Sequence, residues 1–277
     1  MHERETKEPR YADFRALVHD WFRANGRALP WRETSDPYAI LVSEIMLQQT
    51  RVDRVVGKYV EFLARFPDSI RLAAAPLNEV LAAWSGLGYN RRAVALKRCA
   101  ETVVERHGGS IPGSVEALQA LPGIGPYTAR AIGAFAFGLS TVFIETNIRA
   151  VFIHHFFGDR TGVRDAEIIP LVAATLDTDD PRTWYNALMD YGAMLKKAHA
   201  NPARRSAHHV RQSPFVGSNR ELRSRILKMI LAEPSLSEGK IIGRLGADPG
   251  KVRSNLARME KEGFIEHQGG GFVIRQD

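Results

Sequence analysis

The sequence predicts a mainly helical protein that ends in a small winged-helix domain, and three observations lead to this prediction. From Tyr11 to about residue 200, apolar residues recur at helical spacing, without the alternation that marks strands. Residues 201–220 are polar and irregular. Residues 221–277 change to three short helices followed by a hairpin. The predicted domains are therefore 11–200 and 221–277, joined by a connector at 201–220.

Composition limits the classes of partner. The chain has 277 residues, a formal net charge of +7 and a pI of about 9.7, which favours a polyanionic partner but does not by itself identify one. A single cysteine, Cys99, excludes a disulfide framework and an all-cysteine metal site within one chain. The charged N-terminal stretch has no apolar segment of a secretory signal, and no apolar run is long enough for a membrane span. We expect a cytoplasmic, nucleoid-associated protein without a membrane partner.

The helices of the first 120 residues follow from apolar spacing and from proline. Residues 1–10 are expected to form a tail. Pro30 lies in a loop, because proline disfavours helix at the residue before it. Asp36 and Pro37 are the expected N-cap and first turn of a helix. The predicted helices are Tyr11–Asn25, Tyr38–Gln49, Val52–Phe66, a helix started by Pro76 within Leu72–Gly86, Ala93–His107 and Val115–Leu121.

A glutamate lies within one of these helices among apolar residues. Glu44 lies among the apolar positions Ile40, Leu41, Ile45 and Met46. A carboxylate in such a setting must be paired, protonated or functional. A salt-bridged glutamate is the alternative to a catalytic one. Likewise, Gln48 and Gln49 at the helix end could be ordinary surface residues.

The stretch Leu121–Ala129, with the sequence LPGIGPYTA, predicts a tight turn that begins a helix. Gly123 and Gly125 flank one apolar residue, and a side chain at either position is expected to obstruct the turn. Pro126 suits the first turn of a helix. The backbone N–H groups of Gly125, Tyr127 and Thr128 would then face an anion. This stretch resembles the helix-hairpin-helix motif that grips one DNA backbone; an ordinary helix–turn–helix corner is the alternative.

Three polar residues farther along the chain are expected to lie beside the helix that this turn begins. An apolar run at 142–144 is expected to bring Glu145, Thr146 and Asn147 beside it. Further helices are predicted over residues 131–137, 148–153, 164–177 and 181–194. In the C-terminal domain, the third helix carries Val252, Leu256 and Met259 inward, with basic residues outward, and could enter a major groove. A winged helix that is structural or contacts protein is equally compatible with this pattern.

Taken together, these segments resemble the MutY-type adenine DNA glycosylases of the helix-hairpin-helix superfamily over about residues 25–195. The resemblance implies a two-lobed fold, with a six-helix hairpin lobe at about 33–150 and a second lobe from 11–32 and 151–200. The segments that carry it are Leu29–Arg32, Ser43–Thr50, Gly86–Tyr89, Leu121–Gly125 and Met189–Met194. Ser43–Thr50, with the sequence SEIMLQQT, is the most specific, because related endonuclease III and thymine-mismatch enzymes differ there.

The resemblance assigns catalytic roles to four residues. Glu44 corresponds to the general acid that protonates the purine, for which an apolar setting raises the pKa in the required direction. Glu145 stands where the family usually has aspartate, facing the sugar C1′, where it would stabilise an oxocarbenium-like cation. Tyr127 and Asn147 match positions that orient the two carboxylates. Because bifunctional relatives carry lysine in place of Tyr127, we expect a monofunctional enzyme that leaves an abasic site.

The resemblance also assigns DNA-binding roles. Arg32 corresponds to a contact with the flipped base. Gln49, with Gln48 beside it, and Tyr89 match residues that fill the gap in the duplex when the base leaves. The hairpin residues Gly123, Gly125 and Thr128 would seat a phosphate, with a bound monovalent cation. The implied partner is double-stranded DNA that contains a mismatch or an oxidised base, bound by a monomer.

Three features depart from the family pattern. The four cysteines of the family's iron–sulfur cluster are absent, with Lys196, Ala203, Ser206 and Gln212 at the expected spacings, so we expect no cluster and no other metal. Glu145 is longer than aspartate by one methylene. A winged helix stands in place of the domain that recognises 8-oxoguanine, which puts that specificity in doubt.

The leading functional hypothesis is excision of adenine from A·G or A·8-oxoguanine pairs. An enzyme of the same fold that acts on mismatched thymine, uracil or hypoxanthine is the first alternative. A catalytically silent DNA-binding relative is the second. Substrate panels distinguish the first two, and the effect of replacing Glu44 distinguishes an enzyme from a silent protein.

Overall fold

The computed structural model describes residues 7–210 and 214–276, with side chains from Arg10 onward, and these residues form a mainly helical protein. The predicted fold class, mainly helical with a C-terminal winged helix, is confirmed. The helices are α1 Lys7–Asn25, α2 Pro37–Leu47, α3 Val52–Arg65, α4 Ser69–Ala74, α5 Leu77–Ala83, α6 Arg91–His107, α7 Val115–Gln119, α8 Pro126–Phe137, α9 Thr146–Phe156, α10 Asp165–Thr175, α11 Pro181–Ala198, α12 Asn219–Ala232, α13 Glu238–Leu245 and α14 Pro249–Lys261. Short 3-10 turns span Pro30–Arg32 and Pro202–Arg205, and the strands are β1 Ile265–Gln268 and β2 Gly271–Ile274.

The chain divides into two compact units. The first comprises the described residues of Met1–Glu44, Gly113–Ala120 and Ile124–Arg211. The second comprises the described residues of Ile45–Pro112, Leu121–Gly123 and Gln212–Asp277. Within the described ranges, no helix is long and apolar enough to cross a membrane, and no cluster of three His, Cys, Asp or Glu side chains could hold a metal ion.

The first unit is built around an aromatic core between α1, α9 and α11. The ring of Phe14 meets Trp184 edge-on at 5.9 Å, and Phe143 stacks on Tyr185 at 3.9 Å. Tyr185 is buried by this packing, and its hydroxyl donates a hydrogen bond of 2.7 Å to the Thr141 carbonyl, as a buried phenol requires. This core fixes α9 against α11, and the N-terminal end of α9 carries Glu145.

The glycine turn before α8 requires glycine at one of its two positions. Gly123 has φ +79°, and a Cβ there would lie 2.7 Å from the Ala95 Cβ, so only glycine fits. Gly125 instead has φ −83°, and a Cβ there would meet no atom within 4 Å. The expectation that a side chain would obstruct the turn is therefore wrong for Gly125, whose outer side faces open space.

The second unit contains α3–α6 and the winged helix. Trp84 and Phe62 pack edge-on at 5.9 Å in the helical part. In the winged helix, β1 and β2 pair antiparallel from Ile265 opposite Ile274, and their turn is Gly269–Gly270, both with positive φ. Two consecutive glycines supply the backbone angles that a two-residue hairpin needs. The inward side chains of α14 are buried, and its basic residues are exposed, as predicted; the latter are Lys251, Arg253, Arg258 and Lys261.

Several element boundaries differ from the sequence-based predictions. The first helix starts at Lys7 rather than Tyr11, so the expected tail is shorter; residues 1–6 lie outside the described part. Within Leu72–Gly86 a helix begins directly after Pro76, as predicted, whereas the short helix α4 that ends at Ala74 was not predicted. Helix α11 continues four residues beyond Met194, to Ala198. The last difference adds Lys196 to an ordered helical face.

Candidate active site

Glu44 is a buried carboxyl group in the apolar helix α2. Its residue is 8% exposed, and the helix around it is almost wholly buried. Burial is the main reason that the pKa of Glu44 rises from 4.5 to about 8; the negative charge of Glu145 raises it further, while a hydrogen bond with Tyr127 acts in the opposite direction. Since its pKa lies above neutrality, Glu44 retains its proton at neutral pH.

Glu145 is the N-cap of α9. Its Oε1 accepts hydrogen bonds from the backbone N–H groups of Asn147, at 2.6 Å, and Ile148, at 2.9 Å. Its Oε2 accepts one from the Asn147 side-chain amide at 3.2 Å. These donors and the positive end of the helix dipole favour a carboxylate. Burial raises the pKa of Glu145, and the two N–H groups, Lys196 and Arg149 oppose that rise.

Tyr127 is hydrogen-bonded to Glu44 and lies within reach of the charge of Glu145. Its side chain makes a hydrogen bond with Glu44, and its ring packs edge-on against Phe143 at 5.6 Å. Burial and the charges of Glu44 and Glu145 raise the pKa of the phenol well above 10, so the hydroxyl keeps its proton. Four residues predicted as catalytic, Glu44, Tyr127, Glu145 and Asn147, thus come together in the first unit. Their catalytic roles remain predictions.

Two residues beside this cluster were absent from the predicted site. The Lys196 ammonium donates a hydrogen bond of 3.0 Å to the Asn147 side-chain carbonyl. Arg149 lies one turn into α9 and forms a two-pronged ion pair with Asp165, with both N···O distances 2.7 Å. A sequence signal for Lys196 would have required knowledge that α11 continues past Met194.

Arg32 lies in a network of ion pairs in the first unit. Its two terminal nitrogens each donate a 2.8 Å hydrogen bond to Asp190, which also accepts from Arg27. Asp190 is 3% exposed. Although burial acts to raise it, the hydrogen bonds from the two arginines keep the pKa of Asp190 below its usual range. A guanidinium held this way is rigid, and its predicted contact with a flipped base remains a prediction.

The other residues predicted to enter the duplex lie in the second unit. Gln49 is exposed, and Gln49 and Tyr89 have φ +54° and +48°, a left-handed conformation that is unusual for residues with side chains. The Gln48 carbonyl accepts a 2.6 Å hydrogen bond from Arg92. The guanidinium of Arg92 also binds the carbonyl groups of Ile45 and Met46, so it satisfies the C-terminal end of α2.

Two guanidinium groups lie close to the Tyr89 ring. Arg92 and Arg220 lie over its ring at 5.5 and 5.3 Å. Arg220, in α12 of the winged helix, also donates a 2.6 Å hydrogen bond to the Tyr89 hydroxyl. Contacts of this kind add cation–π attraction to the hydrogen bond. The winged helix therefore fixes the side chain of a residue predicted to contact DNA.

The glycine turn leaves an N-terminal helix end open. Gly123, Gly125 and Pro126 are exposed, whereas Thr128 is buried in the first turn of α8. Gly125 is the N-cap, without a side chain to occupy the backbone N–H groups. A helix start with this geometry can receive a phosphate oxygen. The predicted phosphate and monovalent cation at this turn remain predictions.

The stretch that would carry an iron–sulfur cluster does not have suitable ligands. Lys196 is a cation that binds Asn147, Ala203 has no ligating atom and is buried, and the Ser206 hydroxyl accepts a 3.0 Å hydrogen bond from the His208 N–H. Gln212 lies outside the described residues. None of the three described residues supplies the thiolate that such clusters need.

Two family models match the sequence. The model described as HhH-GPD superfamily base excision DNA repair protein matches residues 42–174. The model described as winged helix-turn-helix DNA-binding matches residues 219–266. The first match includes the second half of α2 with Glu44, the glycine turn and Glu145, and the second covers α12–α14 and β1 up to residue 266. Together they cover the elements that carry the predicted DNA contacts, except the turn that carries Arg32.

Known proteins of two substrate classes are similar to this chain. It is 35% identical over 230 residues to the adenine DNA glycosylase of Mycolicibacterium smegmatis, covering 76% of this chain and 78% of that relative. It is 38% identical over 156 residues to the thymine/uracil-DNA glycosylase of Pyrobaculum aerophilum, covering 56% and 67%. It spans less than two thirds of several other adenine DNA glycosylases. A solved thermostable thymine-DNA glycosylase superposes with a TM-score of 0.61 at 25% identity, over 68% of this chain and 88% of that one.

Proposed function

This chain belongs to the adenine DNA glycosylase family of the HhH-GPD base excision DNA repair superfamily, and from that premise we propose that it hydrolyses the bond between mispaired adenine and deoxyribose in duplex DNA. The substrates proposed are A·G and A·8-oxoguanine pairs. The observation that carries the proposal is the placement of two carboxyl groups, Glu44 and Glu145, in different electrostatic settings within one site.

Glu44 acts as the general acid in this proposal. With a pKa of about 8, it carries a proton at neutral pH. It donates this proton to the purine, at N7, and the departing base leaves as a neutral molecule instead of an anion. General acid catalysis of this kind typically contributes a factor of about 10²–10⁴. The hydrogen bond with Tyr127 keeps the carboxyl group oriented.

Glu145 stabilises the sugar as the base leaves. Positive charge develops at C1′ when the glycosidic bond breaks, and a carboxylate held by two backbone N–H groups stabilises that charge or bonds to it transiently. Asn147 fixes the second oxygen. Water then adds at C1′, displacing Glu145 if the two have bonded, and the proton that the water loses restores the neutral acid of Glu44. The products are free adenine and an abasic site.

The proposed enzyme has no strand-cleaving activity. Relatives that cleave the strand carry a lysine at the position of Tyr127, and its amine forms a Schiff base with C1′. A phenol has no amine nitrogen, so Tyr127 cannot form a Schiff base. Borohydride reduction during the reaction is therefore expected to trap no covalent protein–DNA complex.

The proposed DNA contacts use both units. The open N-terminal end of α8 receives a phosphate, and the exposed basic residues of α14 suit a major groove. Extrusion of the base is needed, because the glycosidic bond is not accessible inside the stack. Gln49 and Tyr89 fill the vacated space. The protein acts as a monomer in this proposal.

A second substrate class is favoured by a specific observation. The 38% identity to a thymine/uracil-DNA glycosylase and the superposition on a thymine-DNA glycosylase make mismatched thymine or uracil the alternative. In that case Glu44 would serve a pyrimidine, which has no N7 to protonate. The chemistry of Glu44 therefore favours the purine.

A panel of duplexes tests the proposal. Purified protein is incubated with A·G, A·8-oxoguanine, T·G, U·G and hypoxanthine·T duplexes, and abasic sites are then cleaved with alkali. Strand breaks at A·G or A·8-oxoguanine, only after alkali, are expected. Breaks confined to T·G or U·G would support the alternative, and breaks without alkali would contradict the absence of strand cleavage. Intact strands throughout would overturn the proposal.

A further inference from the structure

Helix α11 contacts Asn147 at two points. Gly192 and Lys196 are four residues apart, so they lie on the same face of the helix. A Cβ on Gly192 would come within 2.3 Å of the Asn147 backbone oxygen. One turn later, Lys196 donates its 3.0 Å hydrogen bond to the Asn147 side chain. The absence of a side chain at Gly192 lets the helix approach closely enough for this hydrogen bond.

The direction of this hydrogen bond orients the Asn147 amide. A lysine ammonium only donates, so the oxygen of the amide faces Lys196. The NH₂ group then faces Glu145, to which it donates at 3.2 Å. The three groups form a polar line from the end of α11 to the carboxylate at the start of α9.

We propose that Lys196 is a positioning residue of the active site: it fixes the orientation of Asn147 and places a positive charge beside the Glu145 carboxylate. This inference rests on the proposed function, because it assigns Lys196 a part in keeping Glu145 ready to stabilise the sugar cation. Lys196 does not touch the reacting atoms. It acts through Asn147 and through its charge.

The charged groups around Glu145 come from four helices. Glu44 of α2 and Tyr127 of α8 are the two acidic groups near Glu145, and the charge of Glu145 raises the pKa of both. Arg149 of α9 and Lys196 of α11 are the cations that lower the pKa of Glu145. The charge of Arg149 is largely matched by its ion pair with Asp165 of α10. Lys196 is thus the cation whose removal is expected to raise the pKa of Glu145 most directly.

The dependence of the excision rate on pH tests this role. Single-turnover rates are measured from about pH 5 to pH 9 on the duplex that the substrate panel identifies. The wild-type rate falls at low pH as Glu145 gains a proton, and at high pH as Glu44 loses one. Lys196→Met is expected to move the acidic limb up by about one pH unit, a roughly tenfold loss on that side. The basic limb should stay in place.

Three variants separate positioning from general structural effects. Lys196→Arg retains the charge and the donor, so it should restore the acidic limb. Lys196→Gln retains a donor without the charge and should shift the limb as Met does, with a maximal rate nearer to wild type. Lys197→Met is the matched control, because Lys197 lies in the same last turn of α11 but is exposed. It should behave as wild type.

The outcomes distinguish this inference from the proposed function. A uniform loss of rate at every pH in both Lys196→Met and Lys196→Gln would overturn the inference, as would an equal shift in Lys197→Met. If Lys196→Met unfolds at the assay temperature, Lys196→Gln is compared with Lys196→Arg instead. A loss of rate in Lys196→Gln that is uniform with pH would then overturn the inference. A wild-type protein that makes no abasic sites would instead refute the proposed function.

Discussion

Glu44 and Glu262 have the same side chain but opposite electrostatic environments. Glu44 lies in an apolar helix next to another carboxyl group, and burial raises its pKa to about 8. Glu262, just after α14, accepts hydrogen bonds from Arg91 and Arg223, which lower its pKa to about 2 despite partial burial. The first carboxyl group is able to donate a proton near neutral pH, whereas the second is a permanent anion.

The difference shows how neighbouring groups decide the role of a carboxyl group. Burial without a cation stabilises the neutral acid. It lowers folding stability at any pH at which the group is ionised in the unfolded chain but still protonated in the folded one. Two guanidinium groups stabilise the anion and connect α6, α12 and the end of α14 within the second unit. The first arrangement suits proton transfer, and the second suits attachment of the winged helix.

The largest expected effect comes from removing the proton of Glu44. Glu44→Gln should reduce excision by about a thousandfold or more, because an amide cannot protonate the base. Binding to duplex DNA should remain and should weaken with salt as for the wild type. Glu262→Gln is the matched control and should change excision little. Similar losses in the two variants would break the contrast drawn between the two carboxyl groups.

The next effect concerns the close contact of α11 with Asn147. Gly192→Ala should displace Asn147, because the new Cβ would meet its backbone oxygen at 2.3 Å. A displacement of this size is expected to lower the excision rate about a hundredfold, since catalytic groups tolerate little misplacement. Gly239→Ala, in α13, is the control, because a Cβ there meets no atom within 4 Å. Single-turnover rates that do not differ between the two variants would contradict the tight contact.

A third effect is on stability and depends on pH. Between pH 4.5 and about 8 the unfolded chain releases the Glu44 proton and the folded chain keeps it, so stability falls as the pH rises. Glu44→Gln lacks this loss, and its free energy of unfolding should exceed that of the wild type by roughly 3 kcal/mol at pH 7. The gain should shrink towards pH 5. Denaturant unfolding at the two pH values measures it, and a gain that is constant with pH would show that Glu44 is not held as a neutral acid.

The smallest expected effect comes from Glu262. Glu262→Gln should lower the free energy of unfolding by about 1–2 kcal/mol at pH 7, because it weakens hydrogen bonds to two arginines. Since the folded pKa is depressed, the stabilisation is complete above about pH 4.5 and disappears as the pH falls towards 2. Thermal unfolding from pH 3 to pH 7 should therefore show wild type and variant converging in acid. A difference that is as large at pH 3 as at pH 7 would argue against ion pairing as its source.

The sequence predicted the elements whose signals are local. The spacing of apolar residues, the prolines and the paired glycines placed most helices and the hairpin of the winged helix. The position of Glu44 among apolar residues also indicated a buried carboxyl group, and the structure agrees. These features depend on neighbours along the chain, which a single sequence displays.

The features that escaped prediction depend on residues distant in sequence. Lys196 meets Asn147 across 49 positions, and Arg220 meets Tyr89 across 131. The polar composition after Met194 resembled a connector, although the last turn of α11 is stabilised by its packing and by lysines at its C-terminal end. The turn at Gly125 was misjudged because a glycine can be needed for access to its backbone as well as for its φ angle.

The contacts of Arg220 with Tyr89 couple the conformation of the winged helix to that of the glycine-rich turn at 86–89. A tyrosine that rotates towards a duplex has to give up the guanidinium, and the free energy of that exchange is shared by both partners. A ligand that draws α12 away from Tyr89 would therefore change the equilibrium constant of the tyrosine rotation by a certain factor. By reciprocity, the rotation would change the affinity of that ligand by the same factor. The winged helix and the turn at 86–89 are thus coupled through one side chain.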